Sequence, residues 1–275
     1  MKDIKEKANV LIEALPYIQK YKDKIVVIKY GGKAMVNEEL KNSVITDIVL
    51  LNNVGIKAVV VHGGGPEVNK EMEKAKIEPK FVDGLRVTDK ETLNIVKKVF
   101  LKINKEVVKK ISDAGGKAVT LNHESIFAYQ KNSSLGYVGE VSSIDKKKII
   151  SLLKKDYIPV ISSLGTDDKG QAYNINADSV ATAVAINLNA EKLTILTDVD
   201  GVMENGIFLP HLSISEIKNK INRGVINGGM IPKVIACMDA VKNGCKKAHL
   251  INGTIKNALL LEIFTDKGIG TEIVK

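Results

Sequence analysis

Residues 25–32 read Ile25-Val26-Val27-Ile28-Lys29-Tyr30-Gly31-Gly32, a β-branched apolar run that leads directly into two glycines. A short run of this kind is typical of a strand buried on both faces of a parallel sheet. Segments of helical period separate it from similar runs further along the chain, and this alternation predicts an α/β protein with a largely parallel central sheet. The other clear strand candidates are residues 58–61, 158–161, 193–196 and 248–251.

Capping signals mark the starts of two predicted helices. A long helix is expected over residues 89–113, because Thr88 and Glu91 have the spacing of a capping box and two glycines follow its end. Ser213 and Glu216 have the same spacing at the start of another helix. Residues 119–142 contain short alternating segments between turn residues, which predicts an antiparallel appendage.

Apolar residues among the first twenty recur with a helical period and so would line one stripe of a helix. Pro16 is expected to kink or end the regular part of this helix. The stripe fits two alternatives equally well, a helix packed on its own subunit or a contact between subunits. Its apolar residues recur at spacings of four and three, and they are Ile4, Ala8, Leu11, Leu15 and Ile18.

The net charge of the chain invites a nucleic-acid interpretation that its composition does not support. The formal net charge is +9, yet of the 41 lysine and arginine residues only Arg86 and Arg223 are arginine. Base readers and phosphate clamps rely on the planar fork of arginine, and single-strand binders interleave aromatic residues, which make up only 4% here. We therefore predict no nucleic-acid partner.

The sequence also predicts a cytoplasmic protein without a membrane partner. No stretch approaches the roughly 20 uninterrupted apolar residues that span a bilayer. Residues 1–7 mix both charge signs and lack the apolar run of a signal peptide. Cys237 and Cys245 lack the spacing of a zinc or redox motif, so we interpret them as reduced structural thiols.

Two glycine-rich loops follow predicted strands and precede helical stretches. They are Lys29-Tyr30-Gly31-Gly32 and His62-Gly63-Gly64-Gly65-Pro66. Glycines let an anion approach the backbone closely, and N–H groups at a helix start can bind it. Neither loop matches a P-loop or a dinucleotide fingerprint. We predict an anion site at one edge of the sheet, with His62 in a structural role; a tight turn with a solvated Lys29 is the alternative for the first loop.

Further stretches place polar groups at strand ends or helix starts. An arginine in a lysine-dominated chain suggests bidentate pairing with a carboxylate, although Arg86 also fits an ordinary surface position. Asn174-Ile175-Asn176-Ala177-Asp178 could cap a helix or present amides and a carboxylate to a ligand. Thr197-Asp198-Val199-Asp200-Gly201 suits a ribose or Mg²⁺-bound water. Gly228-Gly229-Met230-Ile231-Pro232-Lys233 has a lysine inside the first helical turn.

In this order and spacing, the motifs resemble those of the amino acid kinase family, and within it the branch that phosphorylates N-acetyl-L-glutamate. The resemblance runs from about residue 24 to the end, and its most specific pieces are residues 81–89, 174–178 and 229–234. The stretch around Arg86 distinguishes this branch from carbamate kinases, aspartokinases, uridylate kinases and glutamate 5-kinases.

The resemblance implies the family's αβα sandwich, in which two lobes share one largely parallel sheet. Residues 1–190 would form the lobe that binds acetylglutamate and oligomerises, with an N-terminal helix over residues 1–20. Residues 191–275 would form the lobe that binds ATP. The cofactors implied are ATP and Mg²⁺, with the metal held by the nucleotide's phosphates rather than directly by the chain.

The resemblance also implies roles for individual residues. Lys29 and Lys233 would stabilise the transferring phosphoryl group, and Asp178 would orient both lysines. The expected acetylglutamate site comprises Gly64, Gly65, Arg86, Asn174 and Asn176. The expected phosphate and ATP site comprises Gly31, Gly32, Gly63, Asp198, Asp200, Gly201, Val202, Met203, Asn227 and Met230.

The chemistry of a carboxylate kinase agrees with this residue set. A γ-carboxylate is already ionised at neutral pH, so the nucleophile requires no general base. Phosphoryl transfer requires alignment of two anions and neutralisation of charge on the equatorial oxygens, which lysines, loop amides and Mg²⁺ can supply. Because water would hydrolyse an acyl phosphate, we expect the lobes to close over the product.

The N-terminal helix and the ending at residues 259–271 resemble family members that arginine inhibits. In those relatives the N-terminal helices interlace dimers into a hexamer, and arginine binds beside the helix. The resemblance therefore implies a homo-oligomer, a dimer or a trimer of dimers. It also implies feedback inhibition by arginine within arginine biosynthesis, with Glu262 and Gly270 in the arginine site.

Two segments depart from the family pattern. Residues 122–125 replace a usual Ser-Gly-Lys-Asp-Gly-like turn, and residues 204–209 form a shorter segment than their counterpart. Two other functions stay open at this point: another carboxylate kinase of the family, and a non-catalytic sensor that binds arginine or a nucleotide.

Overall fold

A computed structural model describes residues 2–35, 37–266 and 268–275, with the side chains of residues 2–8 and Lys33 outside the description. The helices are α1 (Lys2–Tyr21), α2 (Glu38–Asn53), α3 (Gly65–Lys74), α4 (Lys90–Asp113), α5 (Lys146–Leu153), α6 (Ala177–Asn187), α7 (Ile214–Asn222), α8 (Met230–Lys242) and α9 (Ala258–Ile263). The strands are β1 (Ile25–Tyr30), β2 (Lys57–His62), β3 (Phe81–Val82), β4 (Leu85–Arg86), β5 (Ala118–Leu121), β6 (Ile126–Gln130), β7 (Gly139–Ile144), β8 (Ile158–Ser162), β9 (Leu164–Thr166), β10 (Ala172–Asn174), β11 (Lys192–Thr197), β12 (Val202–Glu204), β13 (Ile207–Leu209), β14 (His211–Ser213), β15 (Lys247–Asn252) and β16 (Thr271–Val274).

The central sheet has the strand order β14-β16-β15-β11-β1-β2-β8-β5. Its strands pair in parallel except for β16, which runs antiparallel to β15. Each predicted strand lies inside one of these elements, namely β1, β2, β8, β11 and β15. The prediction of a largely parallel sheet is confirmed.

Helices cover both faces of the central sheet, because alternate strand residues point to opposite sides. Val27 packs in the apolar cluster that contains α5, α6, α7 and α8, whereas Val26 and Ile28 pack in the cluster that contains α2, α3, α4 and α9. All three valine and isoleucine side chains are fully buried. The predicted αβα sandwich is confirmed.

The expected lobe boundary at residue 190 separates two contiguous halves of this sheet, and the division into lobes stays a prediction. Residues 1–190 contribute β5, β8, β2 and β1, and residues 191–275 contribute β11, β15, β16 and β14. The halves join where β1 pairs with β11. The carboxyl ends of the parallel strands from both halves therefore share one edge of the sheet.

The predicted appendage at residues 119–142 is only partly correct. β5 belongs to the central sheet as an edge strand, since its residues Ala118–Leu121 pair in parallel with residues 158–161 of β8. The antiparallel pair is formed by β6 and β7, which join β9 and β10 in a small separate sheet. Residues 123–125, in the segment that departs from the family pattern, form a short 3₁₀ turn before β6.

One of the two predicted capping boxes is correct. Ser213 and Glu216 cap α7 reciprocally. Thr88 does not cap α4: the helix begins one residue later, and Asp89 accepts the backbone N–H of Thr92 at 2.8 Å. Thr88 is fully buried, and its hydroxyl donates to the Arg86 carbonyl at 2.8 Å instead.

The N-terminal helix continues through Pro16 to Tyr21, so the proline does not end it. Leu11 is 74% exposed and Leu15 is 49% exposed. These two leucine side chains are therefore not buried against the described residues of their own subunit. Ile4 and Ala8, also predicted in the stripe, have side chains outside the described residues.

Two further expectations concern the membrane and the cysteines. Within the described ranges, no helix combines the length and the apolar character needed to cross a bilayer. Cys237 and Cys245 are both buried free thiols.

Candidate active site

The candidate site lies at the edge where β1, β2 and β8 end. The parallel register places Tyr30 beside His62, and His62 beside Ser162, so the loops that follow these strands begin side by side. This is the edge at which α/β proteins bind ligands. A cavity of about 270 Å³ lies there. The predicted residues that line it are Lys29, Gly31, Gly32, Gly63, Gly64, Gly65, Arg86, Asn174, Asn176, Asp178 and Lys233.

Asp178 lies between the two lysines of the cavity. Its Oδ1 is 3.0 Å from Lys29 Nζ, and its Oδ2 is 3.8 Å from Lys233 Nζ. The Lys29 contact is an ion pair without hydrogen-bond geometry, since Asp178 Oδ1 accepts no hydrogen bond from the described residues. Asp178 is only 6% exposed, which strengthens its attraction for both ammonium groups. One carboxylate thus keeps two like charges close to the same cavity.

Two asparagines line the first cavity beside Asp178, and one of them, Asn176, caps the helix that carries it. Asn176 caps α6, because its Oδ1 accepts the backbone N–H of Asp178 at 2.8 Å and that of Ser179 at 3.4 Å. The cap places Asp178 in the first helical turn, where the helix dipole favours a carboxylate. Asn174 ends β10 and donates from Nδ2 to Thr88 Oγ1 at 3.1 Å. Both asparagines therefore have structural partners as well as a place in the cavity wall.

Close contacts explain two of the cavity's glycines. A Cβ on Gly64 would lie 2.5 Å from Ile103 Cδ1, because α4 packs against the bare backbone there. A Cβ on Gly31 would lie 3.2 Å from Lys29 Nζ. The absence of that Cβ leaves the ammonium group open to the cavity.

Backbone amides add to the donor groups of the cavity. Gly63 N–H donates to the Tyr30 carbonyl at 3.2 Å and so ties the second glycine loop to the first. Gly64 and Gly65 lie at the start of α3, where N–H groups have no partner within a helix. Two ammonium groups and a helix N-terminus thus border one space, an arrangement suited to an anion.

Arg86 contributes a third cationic group. It is 9% exposed, and its hydrogen bonds within the described residues go to neutral acceptors: Asn69 Oδ1 at 2.6 Å, Gly65 O at 3.4 Å and Met72 Sδ at 3.2 Å. The Phe81 ring lies 4.8 Å from the guanidinium carbon, close enough for a cation–π contact. Burial lowers the pKa of this guanidinium. The positive charge of Arg86 is therefore available to a carboxylate supplied by a ligand.

Of the ten residues predicted to bind phosphate or ATP, Gly31, Gly32 and Gly63 line the first cavity, and the other seven are not among the described residues that line it. Asp200 accepts a hydrogen bond from Asn252 Nδ2 at 2.7 Å, and Val202 N–H donates to Thr271 Oγ1 at 2.9 Å. Gly201 is held against the same threonine, since a Cβ there would lie 2.6 Å from Thr271 Oγ1. The remaining four of these seven residues are Asp198, Met203, Asn227 and Met230.

Glu262 and Gly270 are the residues predicted for the arginine site. Both line a second cavity of about 290 Å³. Glu262 Oε1 accepts a hydrogen bond from Lys192 Nζ at 3.0 Å and contacts His249 Nδ1, and Glu262 Oε2 accepts Ile269 N–H at 3.1 Å. Burial raises the pKa of Glu262, but these partners outweigh it and lower the pKa to about 2. Glu262 is thus an ionised carboxylate that is already paired.

The N-terminal helix forms part of the second cavity. Tyr17, Lys20 and Tyr21 of α1 line it together with the C-terminal segment. The Tyr17 hydroxyl donates to the Asp266 carboxylate. The two segments that the sequence linked to arginine therefore meet at one cavity, away from the first.

Sequence reasoning missed several residues of the first cavity and its wall. Ser163 follows β8 and lines the cavity, and the rule that parallel strands end at one edge could have found it. Asn69 lies one helical turn after Gly65 and holds Arg86, but nothing in the local sequence signals that contact. Phe100 of α4 also lines the cavity, and its helical spacing alone reads as ordinary core.

Known proteins resemble this chain over nearly its whole length. An acetylglutamate kinase of Desulforamulus reducens is 47% identical over 280 residues, which cover 98% of this chain and 98% of that protein. An acetylglutamate kinase of Methanocaldococcus jannaschii is 51% identical over 290 residues, which cover 98% of this chain and 97% of that protein.

A solved structure and a family model also match most of this chain. N-acetylglutamate synthase from Neisseria gonorrhoeae, complexed with coenzyme A and N-acetyl-glutamate, matches with a TM-score of 0.88 at 25% identity. The match covers 98% of this chain, and the chain spans 63% of that longer protein. Residues 24–252 match the amino acid kinase family. Together with the full-length relatives, this match shows that the chain belongs to the amino acid kinase family.

Proposed function

We propose that this chain transfers the γ-phosphoryl group of ATP to the γ-carboxylate of N-acetyl-L-glutamate, giving N-acetylglutamyl 5-phosphate and ADP. Relatives named acetylglutamate kinases, about half identical over nearly the whole chain, support this proposal. The observation that carries it is the first cavity itself. A buried arginine without a carboxylate partner among the described residues and a Lys29–Asp178–Lys233 group line the same space.

Arg86 is the residue that orients the acceptor. Its guanidinium would pair with the α-carboxylate of acetylglutamate through two charge-assisted hydrogen bonds. Asn69 and the Phe81 ring already hold the guanidinium in place, so little side-chain entropy is lost on binding. Asn174 and Asn176 offer amide groups to the same ligand from the neighbouring wall. The γ-carboxylate is thereby left to face the lysines.

Lys29 and Lys233 stabilise the charge that develops during transfer. Bound ATP supplies the phosphoryl group, and Mg²⁺ on its phosphates offsets part of their negative charge. The γ-carboxylate oxygen forms the new P–O bond while the bond to ADP breaks, and no proton has to be removed from the ionised nucleophile. The two ammonium groups and the loop amides meet the equatorial oxygens, and Asp178 prevents the lysines from repelling each other out of position.

The proposal also assigns the two substrates to different halves of the chain. Residues 1–190 would carry the acetylglutamate site, and residues 191–275 would carry the ATP site with Asp198, Asp200, Gly201, Val202, Met203, Asn227 and Met230. Closure of the two lobes would keep water from the acyl phosphate. The proposed reaction belongs to arginine biosynthesis, and the cytoplasm is the proposed location of the chain.

Trapping the acyl phosphate with hydroxylamine tests this function. Purified protein is incubated with ATP, Mg²⁺, hydroxylamine and one carboxylic acid at a time, and the hydroxamate is measured as its ferric complex. We expect hydroxamate with N-acetyl-L-glutamate and far less with N-acetyl-L-aspartate or L-glutamate. Hydroxamate from a different acid alone would retain a carboxylate kinase but overturn the substrate. No hydroxamate from any acid would favour a sensor of arginine or nucleotide.

Feedback inhibition by arginine at the second cavity is a further part of the proposal. The resemblance of residues 1–20 and 259–271 to arginine-inhibited relatives supports it, as does the meeting of those segments around Glu262 and Gly270. Lys192 and His249 already pair with Glu262. The guanidinium of arginine would therefore share the Glu262 carboxylate with them or displace them from it. Asp266 and Glu272 add carboxylates to the same cavity.

We also propose that the chain is a homo-oligomer, a dimer or a trimer of dimers. The exposed apolar side chains of α1 support a contact between subunits, since Val10, Leu11 and Ile12 are 63%, 74% and 66% exposed. Leaving such residues in water is unfavourable by about 1.5–3 kcal/mol each relative to burying them. Light scattering on the purified chain distinguishes a monomer from these assemblies.

A further inference from the structure

His62 is completely buried at the end of β2, directly before the second glycine loop. Both nitrogens of its ring have partners. Nδ1 lies 2.9 Å from the Gly63 carbonyl oxygen, and Nε2 lies 3.1 Å from Asn104 Nδ2. The mechanism described above uses neither nitrogen, so the contacts require another explanation.

The partners determine which nitrogen carries the proton. A carbonyl oxygen only accepts hydrogen bonds, so His62 must donate from Nδ1–H to Gly63. Nε2 must then accept from the Asn104 amide. The orientation of that amide is independently fixed, since Asn104 Nδ2 also donates to the Val160 carbonyl at 3.1 Å and Oδ1 accepts the Thr120 hydroxyl at 2.5 Å. Burial lowers the pKa of His62 to about 4, so the ring is neutral at pH 7.

The bond from His62 sets the direction of a peptide group that borders the cavity. In a trans peptide the C=O of one residue and the N–H of the next point in opposite directions. Drawing the Gly63 carbonyl toward the buried ring therefore turns the Gly64 N–H away from it. The peptide before Gly63 is also held on both sides: Ser163 Oγ donates to the His62 carbonyl at 2.8 Å, and Gly63 N–H donates to the Tyr30 carbonyl.

We propose that His62 is a positioning residue, whose Nδ1–H···O=C bond to Gly63 aims the Gly64 N–H at the reacting anion in the first cavity. The role rests on the proposed function, because it requires an anion to react there. Asn104 acts through His62: its amide donates to Nε2 and so favours the tautomer with the proton on Nδ1, which donates to Gly63. The residues of three elements, β2, α4 and β8, thus fix one backbone amide that would otherwise turn freely between two glycines.

A purely structural role is the competing explanation. The His62 ring packs edge-on against Phe100, with ring centroids 6.1 Å apart, and could serve only as a core side chain. Two amide variants separate the roles, since both lose the ring and its aromatic contact. His62→Asn places an amide N–H near the Nδ1 position and keeps a donor for Gly63, but loses the Asn104 partner. His62→Gln places its amide near the Nε2 position and keeps a partner for Asn104, but leaves the Gly63 carbonyl without its donor.

The test compares kcat/KM for acetylglutamate of the two variants with their melting temperatures, using the hydroxamate assay. Loss of one preorganised donor typically costs about 10²-fold in rate, so we expect His62→Gln to be at least about tenfold slower than His62→Asn. The two variants should melt within a few degrees of each other. Equal rates, or a rate difference that follows the melting temperatures, would overturn the positioning role.

A spectroscopic measurement on the wild-type protein keeps the inference testable if both variants fail to fold. In ¹⁵N-histidine NMR spectra we expect His62 to show a protonated Nδ1 and an unprotonated Nε2 that does not titrate between pH 5 and pH 8. A protonated Nε2 would overturn the inference. This result is independent of activity, whereas absence of hydroxamate from the wild-type protein would overturn the proposed function instead.

Discussion

Lys29 and Asp178 lie far apart in the sequence, yet Lys29 Nζ lies 3.0 Å from Asp178 Oδ1. The contact joins the end of β1 to the first turn of α6. Asp178 uses its other oxygen for Lys233, at 3.8 Å. A single buried carboxylate therefore determines the position of both cations that the proposed reaction needs.

Replacing Asp178 with asparagine removes that charge while keeping the shape of the side chain. The two ammonium groups lose their common partner and should repel each other away from the phosphoryl group. We expect Asp178→Asn to lower kcat by about 10²-fold or more, as loss of preorganised electrostatics does elsewhere. Steady-state hydroxamate kinetics measure the effect.

The matched control removes a carboxylate from an exposed lysine pair. Asp113 pairs with Lys109 at 2.5 Å on the surface of α4, with both side chains more than half exposed. Asp113→Asn should leave kcat unchanged. If Asp178→Asn kept the wild-type kcat, the assignment of the lysine–carboxylate group to catalysis would be wrong.

Arg86→Lys should weaken acetylglutamate binding. A lysine keeps the charge but loses the planar fork that pairs with a carboxylate, and it cannot reproduce the bond to Asn69 at the same time. Loss of a charge-assisted contact costs about 1.5–3 kcal/mol, so KM for acetylglutamate should rise roughly 10- to 100-fold. The chain offers a matched control in Arg223→Lys, because Arg223 is mostly exposed. A wild-type KM for Arg86→Lys would contradict the carboxylate clamp.

Deleting residues 1–20 should abolish the response to arginine. The deletion removes Tyr17 and Lys20 from the second cavity and leaves every residue of the first cavity in place. We expect kcat without arginine to stay within about threefold of wild type, the range of a change remote from the site. Arginine titrations of hydroxamate formation test this, with Tyr17→Phe as a milder variant that loses only the bond to Asp266. Inhibition that survives the deletion would place the arginine site elsewhere.

The paired Glu262 should make stability depend on pH in the acid range. Its pKa is about 2 in the folded chain against an ordinary 4.5, because His249, Lys192 and the Ile269 amide outweigh the effect of burial. A lowered pKa stabilises the fold above pH 4.5, and this contribution is lost as the pH falls from about 4.5 to about 2. Urea unfolding of the wild type should therefore show a steeper loss of stability over this interval than Glu262→Gln. Parallel curves would show that Glu262 is not paired as described.

The central sheet was predictable because its strands carry a strong local signal. Residues 25–28 and 58–61 are continuous apolar runs, as expected of strands buried on both faces. The positions of the glycine loops were also informative. Loops that follow neighbouring parallel strands must meet at one edge of the sheet, so the sequence predicts that the two loops lie close together. Local signals were weaker at helix starts, where Asp89 rather than Thr88 caps α4 because tertiary contacts bury the threonine hydroxyl.

Contacts between residues that lie far apart in the sequence could not be predicted from its motifs. Asn104 lies in the middle of a long helix, and only the packing of α4 against the sheet brings it to His62. The Lys192–Glu262 pair joins residues 70 positions apart. Such contacts depend on how elements pack in three dimensions, so periodicity and spacing do not reveal them.

Oxygen transfer from the substrate tests the central claim most directly. N-acetyl-L-glutamate labelled with ¹⁸O at both γ-carboxylate oxygens is incubated with ATP, Mg²⁺ and hydroxylamine, and the released phosphate is analysed by mass spectrometry. If the γ-carboxylate attacks the phosphorus, hydroxylamine displaces phosphate from the acyl carbon, and each phosphate carries one ¹⁸O atom. Unlabelled phosphate would show that water, and not the carboxylate, accepts the phosphoryl group, and would contradict the proposed function.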